Sequence, residues 1–201
     1  MKVLIATTNL GKVQIYKQAF DELGIEVCSL NDLKLNIEVE ENGSTVIENA
    51  IIKARAYHQT TGLAVLANDS GLIIDKFAKE DQPGLLVRRY NGKELTDEQL
   101  LNVYIEKLNQ VGGESSGHYN VGLAIIDTNG KLHTKEFKPQ RYFVNKPSKI
   151  LIKGIPLSSL CYDFKTKKYL SEMTPKERNE YEGKEFSGQI DFIKSCFTKN
   201  K

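Results

Sequence analysis

The first twenty-three residues constrain the fold more than any other stretch of the chain. They open with a continuous apolar run, "KVLIAT" (2–7), which is typical of a strand buried on both faces. After a polar stretch, apolar residues recur with the three- and four-residue spacing of one helical face, at Val13, Tyr16, Phe20 and Leu23. The order of strand, polar turn and helix predicts an α/β fold.

Later segments add helices and a hairpin. A helix is predicted from Thr45 to about His58, and the capping-box spacing of Thr96 and Gln99 predicts the start of another. The second half alternates apolar and polar residues on both sides of Asn129-Gly130, a pair that favours a hairpin turn. Extended segments are also expected at 141–145 and 150–152, and a helix at 186–197. The chain should therefore be richer in strands in its second half.

Composition sets limits on partners and compartment. The chain has 201 residues and a formal net charge of only +2, so no charge excess indicates a nucleic-acid or membrane partner. Its cysteines, Cys28, Cys161 and Cys196, are far apart and form no CxxC pair, which favours a reducing compartment. The apolar N-terminal stretch is too short for a signal-peptide core. We expect a cytoplasmic protein that binds neither nucleic acid nor membrane.

The turn after the first predicted strand reads "ATTNLGK" (6–12). A helix N-terminus offers free backbone N–H groups and the positive end of the helix dipole, and Lys12 adds a full charge there. This pattern indicates an anion site. A capped helix with a solvated lysine would have the same sequence.

The second polar stretch is "EENGSTVIENAIIKA" (40–54), in which acids precede Lys53. A carboxylate beside a phosphate site commonly holds a divalent cation, because the cation balances the phosphate charge. The alternative is a solvated acidic loop followed by an ordinary surface helix.

The third stretch, "LANDSGLIID" (66–75), contains Asp69 between two apolar runs. We expect short strands at 63–67 and 72–75 joined through "NDSG", with Asp69 projecting from the end of a sheet, where ligands bind in open α/β folds. Gly71 would allow the backbone to turn closely. In most proteins "NDSG" is simply a turn.

Together with "PGLLVRRY" (83–90), these three stretches resemble, in order, the N-terminal half of the inosine triphosphate pyrophosphatase (Ham1-like) family. The family motifs run approximately ATxNxGK, ExGxTFxENAxxKA, DDSGL and PGxxSARY. The resemblance implies one domain over residues 1–201 with an elongated two-lobed α/β fold. It also implies a central mixed sheet flanked by helices, an active site in the cleft between the lobes, and a homodimer.

The resemblance implies Mg²⁺-dependent hydrolysis of a nucleoside triphosphate to the monophosphate and pyrophosphate. It gives catalytic roles to Glu41, Lys53 and Asp69, and metal binding to Glu41, Asp69 and Asn68. Asn68 stands where the family commonly has an acid, and an amide oxygen coordinates a cation less strongly than a carboxylate. The implied substrate contacts are Thr7, Thr8, Asn9, Lys12, Ser70, Gly71, Tyr162, Asp163 and Arg178.

The C-terminal half departs from the family pattern. In "SSLCYDF" (158–164), Leu160 stands where a phenylalanine of the family stacks on the base, and the family's later His-Arg pair is missing, although Arg178 is kept. Buried donors that face a 6-oxo purine reject a 6-amino base, so their loss predicts altered base selectivity. A nucleotide-binding protein that has lost turnover is the alternative function.

Overall fold

The computed structural model describes residues 1–35, 37, 39–90 and 92–198. The chain forms two compact units, one of Met1–Ser70, Val121–Phe137 and Ser187–Lys201, and the other of Gly71–Asn120 and Lys138–Phe186. That these two units make up one functional domain stays a prediction.

In chain order the elements are β1 (Lys2–Ile5), α1 (Leu10–Asp21), β2 (Glu26–Ser29), α2 (Val46–Thr61), β3 (Ala64–Ile74), β4 (Arg89–Tyr90), β5 (Lys93–Glu94), α3 (Asp97–Gln110), β6 (Glu114–Ile126), β7 (Leu132–Phe137), β8 (Gln140–Val144), β9 (Tyr162–Asp163), β10 (Lys168–Tyr169) and α4 (Pro175–Phe197). Short 3-10 helices lie at Lys79–Asp81, Pro156–Ser159 and Leu170–Glu172.

The first unit is built on strands in the order β2, β1, β3, β6, β7. β1 pairs in parallel with both β2 and β3, while β6 and β7 are antiparallel. The chain leaves β1 through α1 to β2 on one side and then returns through α2 to β3 on the other side. The strand order therefore reverses between β1 and β3, and the edge formed by their carboxyl ends is the usual place for a ligand in such sheets.

Helix α2 packs on this sheet through a face of small residues. Its Ala50 and Ala54 are fully buried and belong to a core cluster with Leu4 of β1 and with Val65 and Ala67 of β3. Alanines at this spacing allow the helix to approach the strands closely. This packing sets the height and rotation of α2 over the carboxyl ends of β1 and β3.

The second unit has its own core, centred on helix α3. Leu108 of α3 is buried with Leu72 of β3, Phe143 of β8 and Leu160. Strand β8 pairs antiparallel with β6, and β9 and β10 form a two-stranded hairpin. The mixed α/β class predicted from the sequence is confirmed.

Several local predictions are also confirmed. Thr45 and Thr96 cap α2 and α3, and each helix has a complete capping box, with Glu48 and Gln99 as the reciprocal partners. The hairpin of β6 and β7 forms around Asn129-Gly130. Helix α4 is longer than expected, because it begins at Pro175 rather than near 186. No strand forms at 150–152, a fully described segment whose prediction was wrong.

The predicted turn at "NDSG" was also wrong, because β3 runs through it without interruption. On one side of the motif, Ala6 N donates to Leu66 O over 2.8 Å. On the other side, Leu72 and Gly84 exchange two backbone hydrogen bonds of 2.9 and 3.1 Å. Since each flank is paired to a different neighbour, the four residues between them stay extended.

None of the helices in the described ranges is long and apolar enough to cross a membrane.

Candidate active site

The turn between β1 and α1 is organised by its own polar side chains. Thr7 Oγ1 accepts from Asn9 N over 3.2 Å, and Asn9 Oδ1 accepts from Lys12 N over 3.3 Å in the first turn of α1. Asn9 thus caps α1, and Thr8 is exposed within the turn. The Lys12 ammonium extends from this turn to β3 and donates to Ser70 Oγ over 3.2 Å. The structure therefore brings together two predicted substrate contacts that lie 58 positions apart.

Helix α2 presents two polar side chains one turn apart. Thr45 and Glu48 fix its start through the capping box, and Glu48 Oε2 also accepts from Ser44 N and Ser44 Oγ. With the helix anchored there, Asn49 and Lys53 occupy positions i and i+4 and lie on the same face. Both side chains reach Asp69 of β3.

Lys53 connects two acidic side chains from different segments. Its ammonium lies 2.7 Å from Glu41 Oε2 and 3.4 Å from Asp69 Oδ1. The side chains of Lys53 and Asp69 are only 13% and 15% exposed, whereas that of Glu41 is 41% exposed. The carboxylates of Glu41 and Asp69 thus meet at one cation, as expected of residues that share a catalytic or metal site.

Asn49 was not predicted as a site residue, yet it lies at the centre of this cluster. It is buried, with Nδ2 donating to Asp69 Oδ2 over 3.1 Å and Oδ1 accepting from Gly43 N over 2.8 Å. A sequence signal exists, because Asn49 lies one helical turn before Lys53, beside the alanine face that packs on the sheet. A buried amide at such a position needs hydrogen-bond partners.

The alternation of strand β3 divides the "NDSG" motif between two faces. Asp69 points toward α2, as its bonds to Asn49 and Lys53 show, while Ser70 points toward α1 and Lys12. Asn68 shares the face of Ser70, and its Oδ1 is buried without a hydrogen-bond partner within the described structure. Asn68 and Asp69 therefore diverge, and coordination of one cation by both stays a prediction.

The remaining predicted substrate contacts lie in the second unit. Gly71 is buried in β3, where a Cβ atom would come within 2.8 Å of the Gly84 carbonyl oxygen. Its lack of a side chain is therefore explained by the close approach of the Gly84 backbone. Tyr162 packs edge to face against Phe164 and Tyr169, with ring centroids 5.1 Å away in each case.

Asp163 and Arg178 bond to nearby backbone. Asp163 Oδ1 accepts from Lys165 N, and its Oδ2 accepts from Thr166 N and Oγ1. Burial raises the pKa of the Asp163 carboxyl, but these hydrogen bonds outweigh burial and lower the pKa below its usual value. Arg178 Nη2 donates to Leu170 O over 2.9 Å. Roles for these residues in substrate binding stay predictions.

The position of Leu160 explains one departure from the expected motif. Leu160 is fully buried in the core of the second unit with Leu72, Leu108 and Phe143. Its side chain fills this core, so it is not available to stack on a base in solvent. An aromatic side chain in the same rotamer would enter the core as well.

The arrangement in the first unit suits a highly charged anionic ligand. Two lysines contact adjacent residues of β3 from the two faces of the strand, Lys12 at Ser70 and Lys53 at Asp69. Lys12 lies in the first turn of α1, and Asp69 and Ser70 lie where β3 continues beyond its pairing with β1. Positive groups can bind phosphate oxygens there, while Asp69 can orient or deprotonate water.

Known proteins resemble this chain over most of its length. Residues 3–184 match the model of the Ham1 family. A dITP/XTP pyrophosphatase of Bacillus licheniformis is 36% identical over 147 residues, which cover 73% of this chain and 74% of that protein. A dITP/XTP pyrophosphatase of Shigella flexneri is 40% identical over 110 residues, and this match spans only about half of that protein (54%).

Solved structures give the same result for the whole chain. A HAM1 protein from Coxiella burnetii superposes with a TM-score of 0.73 at 25% identity, covering 97% of this chain and 99% of that chain. The Staphylococcus aureus Ham1 protein superposes with a TM-score of 0.72 over the same fractions of the two chains, and its 21% identity supports the fold alone. Sequence and fold agree, and the chain described here belongs to the Ham1 family.

Proposed function

We propose that this protein hydrolyses nucleoside triphosphates to the monophosphate and pyrophosphate. The observation that carries the proposal is the meeting of Glu41 and Asp69 at the ammonium of Lys53, with Lys12 held on the neighbouring Ser70. The names of the relatives, dITP/XTP pyrophosphatases, support the same reaction class.

The proposed roles follow from the charges. A triphosphate carries about four negative charges, and attack on phosphorus requires positive groups that stabilise the transition state. Lys12 and Lys53 supply them, assisted by the N-terminus of α1 and the polar side chains of Thr7, Thr8 and Asn9. Asp69 accepts a proton from the attacking water or orients it, and Ser70 contributes a hydroxyl beside it.

Glu41 and Asp69 also fit a divalent cation, for which we propose Mg²⁺. Their carboxylates already share one positive group, and carboxylate oxygens are the ligands that Mg²⁺ prefers. Among the described residues no group of three or more acidic, histidine or cysteine side chains could hold a metal. Mg²⁺ characteristically completes its shell with water and substrate phosphates, so two protein carboxylates suffice. When bound, the cation would supply positive charge against the triphosphate.

We further propose that base selectivity differs from a preference for inosine and xanthosine triphosphates. The sequence has no His-Arg pair at the expected place, and Leu160 is enclosed in the core rather than available for stacking. The missing pair removes donors that would select a 6-oxo purine, and the burial of Leu160 removes a stacking contact with the base. A homodimer and a cytoplasmic location stay predictions.

The test is pyrophosphate release from a panel of canonical and deaminated nucleoside triphosphates, with and without Mg²⁺. We expect Mg²⁺-dependent release that falls about 100-fold or more in Asp69→Asn, the size of effect typical of losing a general base. Asp81→Asn, which alters an exposed carboxylate paired with Lys107, is the matched control and should retain wild-type release.

Three outcomes would change the proposal. Rapid release from inosine triphosphate, with all canonical nucleotides far slower, would contradict altered selectivity. Binding of triphosphates without any release would indicate a nucleotide-binding protein that has lost turnover. If no nucleotide raised the melting temperature, the whole assignment of a triphosphate ligand would be wrong.

A further inference from the structure

Two segments that carry the proposed acids are joined by the side chains of Asn49 and Lys53. Asp69 lies in strand β3, and Glu41 lies in the loop before α2, two residues from Gly43. Asn49 contacts both segments, through Asp69 Oδ2 at 3.1 Å and through Gly43 N at 2.8 Å. No direct hydrogen bond between Glu41 and Asp69 is present in the described structure, so Asn49 and Lys53 make the connection.

The chemistry of these partners fixes the orientation of the Asn49 amide. A backbone N–H can only donate, so the group that faces Gly43 must be the amide oxygen. The ionised carboxylate of Asp69 can only accept, so the group that faces it must be the amide NH₂. An asparagine satisfies both partners at once, whereas aspartate or leucine at this position cannot.

The fit at Gly43 is close as well as polar. A Cβ atom at Gly43 would lie 2.7 Å from Asn49 Oδ1 and 2.7 Å from Glu48 Cβ. The acidic loop therefore rests directly on the first turn of α2, and its position depends on the side chains at 48 and 49. A displaced loop would move Glu41 away from Lys53.

The two oxygens of Asp69 are divided between two helix residues. Oδ2 accepts from Asn49, while Oδ1 faces the Lys53 ammonium at 3.4 Å. With Asn49 holding Oδ2, rotation of the carboxylate is restricted, and Oδ1 keeps a constant direction. A water-activating carboxylate needs such a fixed direction, since small displacements of a catalytic group are costly in rate.

We propose that Asn49 is a positioning residue for the reaction: it orients the Asp69 carboxylate and holds the Glu41 loop at the same site. This inference rests on the proposed function. Asn49 acts through Asp69 and Glu41 and is assigned no contact with the substrate, so its loss should lower kcat far more than it raises KM.

Two substitutions at position 49 separate the bond to Gly43 from the bond to Asp69. Asn49→Asp keeps an oxygen that can accept from Gly43 N but places an acceptor against Asp69. Asn49→Leu keeps the same branching and number of side-chain heavy atoms but loses both bonds. We expect kcat for pyrophosphate release to fall about 10- to 100-fold in each variant, with the KM of the leucine variant within about threefold of the wild type.

Hydrogen exchange of the Gly43 amide gives a readout that does not depend on turnover. We expect protection close to the wild type in Asn49→Asp and clear loss of protection in Asn49→Leu, because only the former keeps an acceptor for this N–H. The control is Asn109→Asp, which introduces the same charge on α3 where Asn109 bonds to Asn145. It should leave kcat and the Gly43 exchange unchanged.

The outcomes distinguish this inference from the function on which it rests. Release by the wild type with an undiminished kcat in Asn49→Asp would overturn the orienting role, whatever the leucine variant does. Unchanged Gly43 exchange in Asn49→Leu would overturn the loop contact. Absence of release from the wild type itself would instead overturn the proposed function, and with it any role for Asn49 in the reaction.

Discussion

The polar side chains predicted for the site find their partners at very different distances along the chain in the two units. In the first unit, Lys12 bonds to Ser70 across 58 positions, and Lys53 bonds to Glu41 and Asp69 across 12 and 16. In the second unit, Asp163 bonds within its own turn, and Arg178 bonds to a carbonyl eight positions away. The local bonds are what turns and helix starts make in any protein.

The difference teaches which polar residues call for a functional explanation. Charged groups from distant segments must be held together against the entropy and desolvation that oppose their meeting. The turn that Asp163 stabilises is enough to explain the presence of this residue. Stability alone does not explain why Lys53 and Asp69 are buried together. On this ground the triphosphate chemistry is better supported than the recognition of the base.

The largest effect is expected from removing the ammonium of Lys53, which contacts both Glu41 and Asp69. Lys53→Met should lower kcat/KM for pyrophosphate release about 100-fold or more, because it removes positive charge from the transition state. Lys2→Met is the matched control, since Lys2 also pairs with a carboxylate, that of Glu26, but at the opposite end of β1. Equal activity of the two variants would break the comparison, because a surface ion pair would then matter as much as the contacts of Lys53 with Glu41 and Asp69.

The next effect tests the packing of Leu160. Leu160→Phe should destabilise the protein by about 1–3 kcal/mol, the usual cost of overpacking a filled core, and should leave the order of nucleotide preference unchanged. Urea unfolding measures the first expectation and the nucleotide panel the second. Leu86→Phe, at a side chain that is 56% exposed, should have little effect on stability. A shift of preference toward inosine triphosphate in Leu160→Phe would show that this position faces the base.

A smaller effect is expected at a long-range cluster in the second unit. Asp97 accepts from Arg88 Nη2 and from Gly154 N, each over 2.7 Å. Burial raises the pKa of the Asp97 carboxyl, but the bonds from Gly154 and Arg88 outweigh it, so the net pKa is lowered. The stabilisation is therefore complete above the unfolded pKa of about 3.9 and is lost as pH falls through the lower folded pKa.

Asp97→Asn should accordingly destabilise the protein by about 1 kcal/mol at pH 7, and the difference from the wild type should shrink below about pH 4. Denaturant unfolding at several pH values measures this. Glu98→Gln, at the next and exposed residue of α3, is the control and should be nearly neutral. A large loss of turnover in Asp97→Asn would extend the active site into this cluster and sharpen the comparison.

The smallest effect is expected at the turn between β9 and β10. Asp163→Asn should lower the free energy of unfolding by about 0.5 kcal/mol, because the amide still accepts part of the turn's hydrogen bonds. Any change in KM should be the same factor for every nucleotide. A rise in KM confined to one base would give Asp163 the substrate contact that its local bonds do not suggest.

The sequence was sufficient for features that depend on neighbouring residues. The helix start at Thr45, the capping box of Thr96 and the hairpin at Asn129-Gly130 involve groups only a few positions apart, and all three are present. It failed at "NDSG", where the pairing of β3 with the segments around Ala6 and Gly84 outweighed the local preference for a turn.

The residues of the candidate site were likewise predicted only in part. Family motifs identified Glu41, Lys53 and Asp69, and the structure brings them together. Asn49 was missed, because its importance lies in two contacts, to Gly43 and Asp69, that only the folded structure shows. The helical spacing from Asn49 to Lys53 could have indicated it, since residues four apart share a face.

The placement of Asn49 and Lys53 on one turn of α2 also limits how this chain can change in length. Each residue of a helix turns the next by about 100°, so a single insertion or deletion between positions 49 and 53 would rotate one side chain away from Asp69. Length changes there should therefore be excluded. The four-residue spacing from Asn49 to Lys53 should therefore stay constant. It can guide the alignment of distant relatives and the transfer of the site to another α/β sheet.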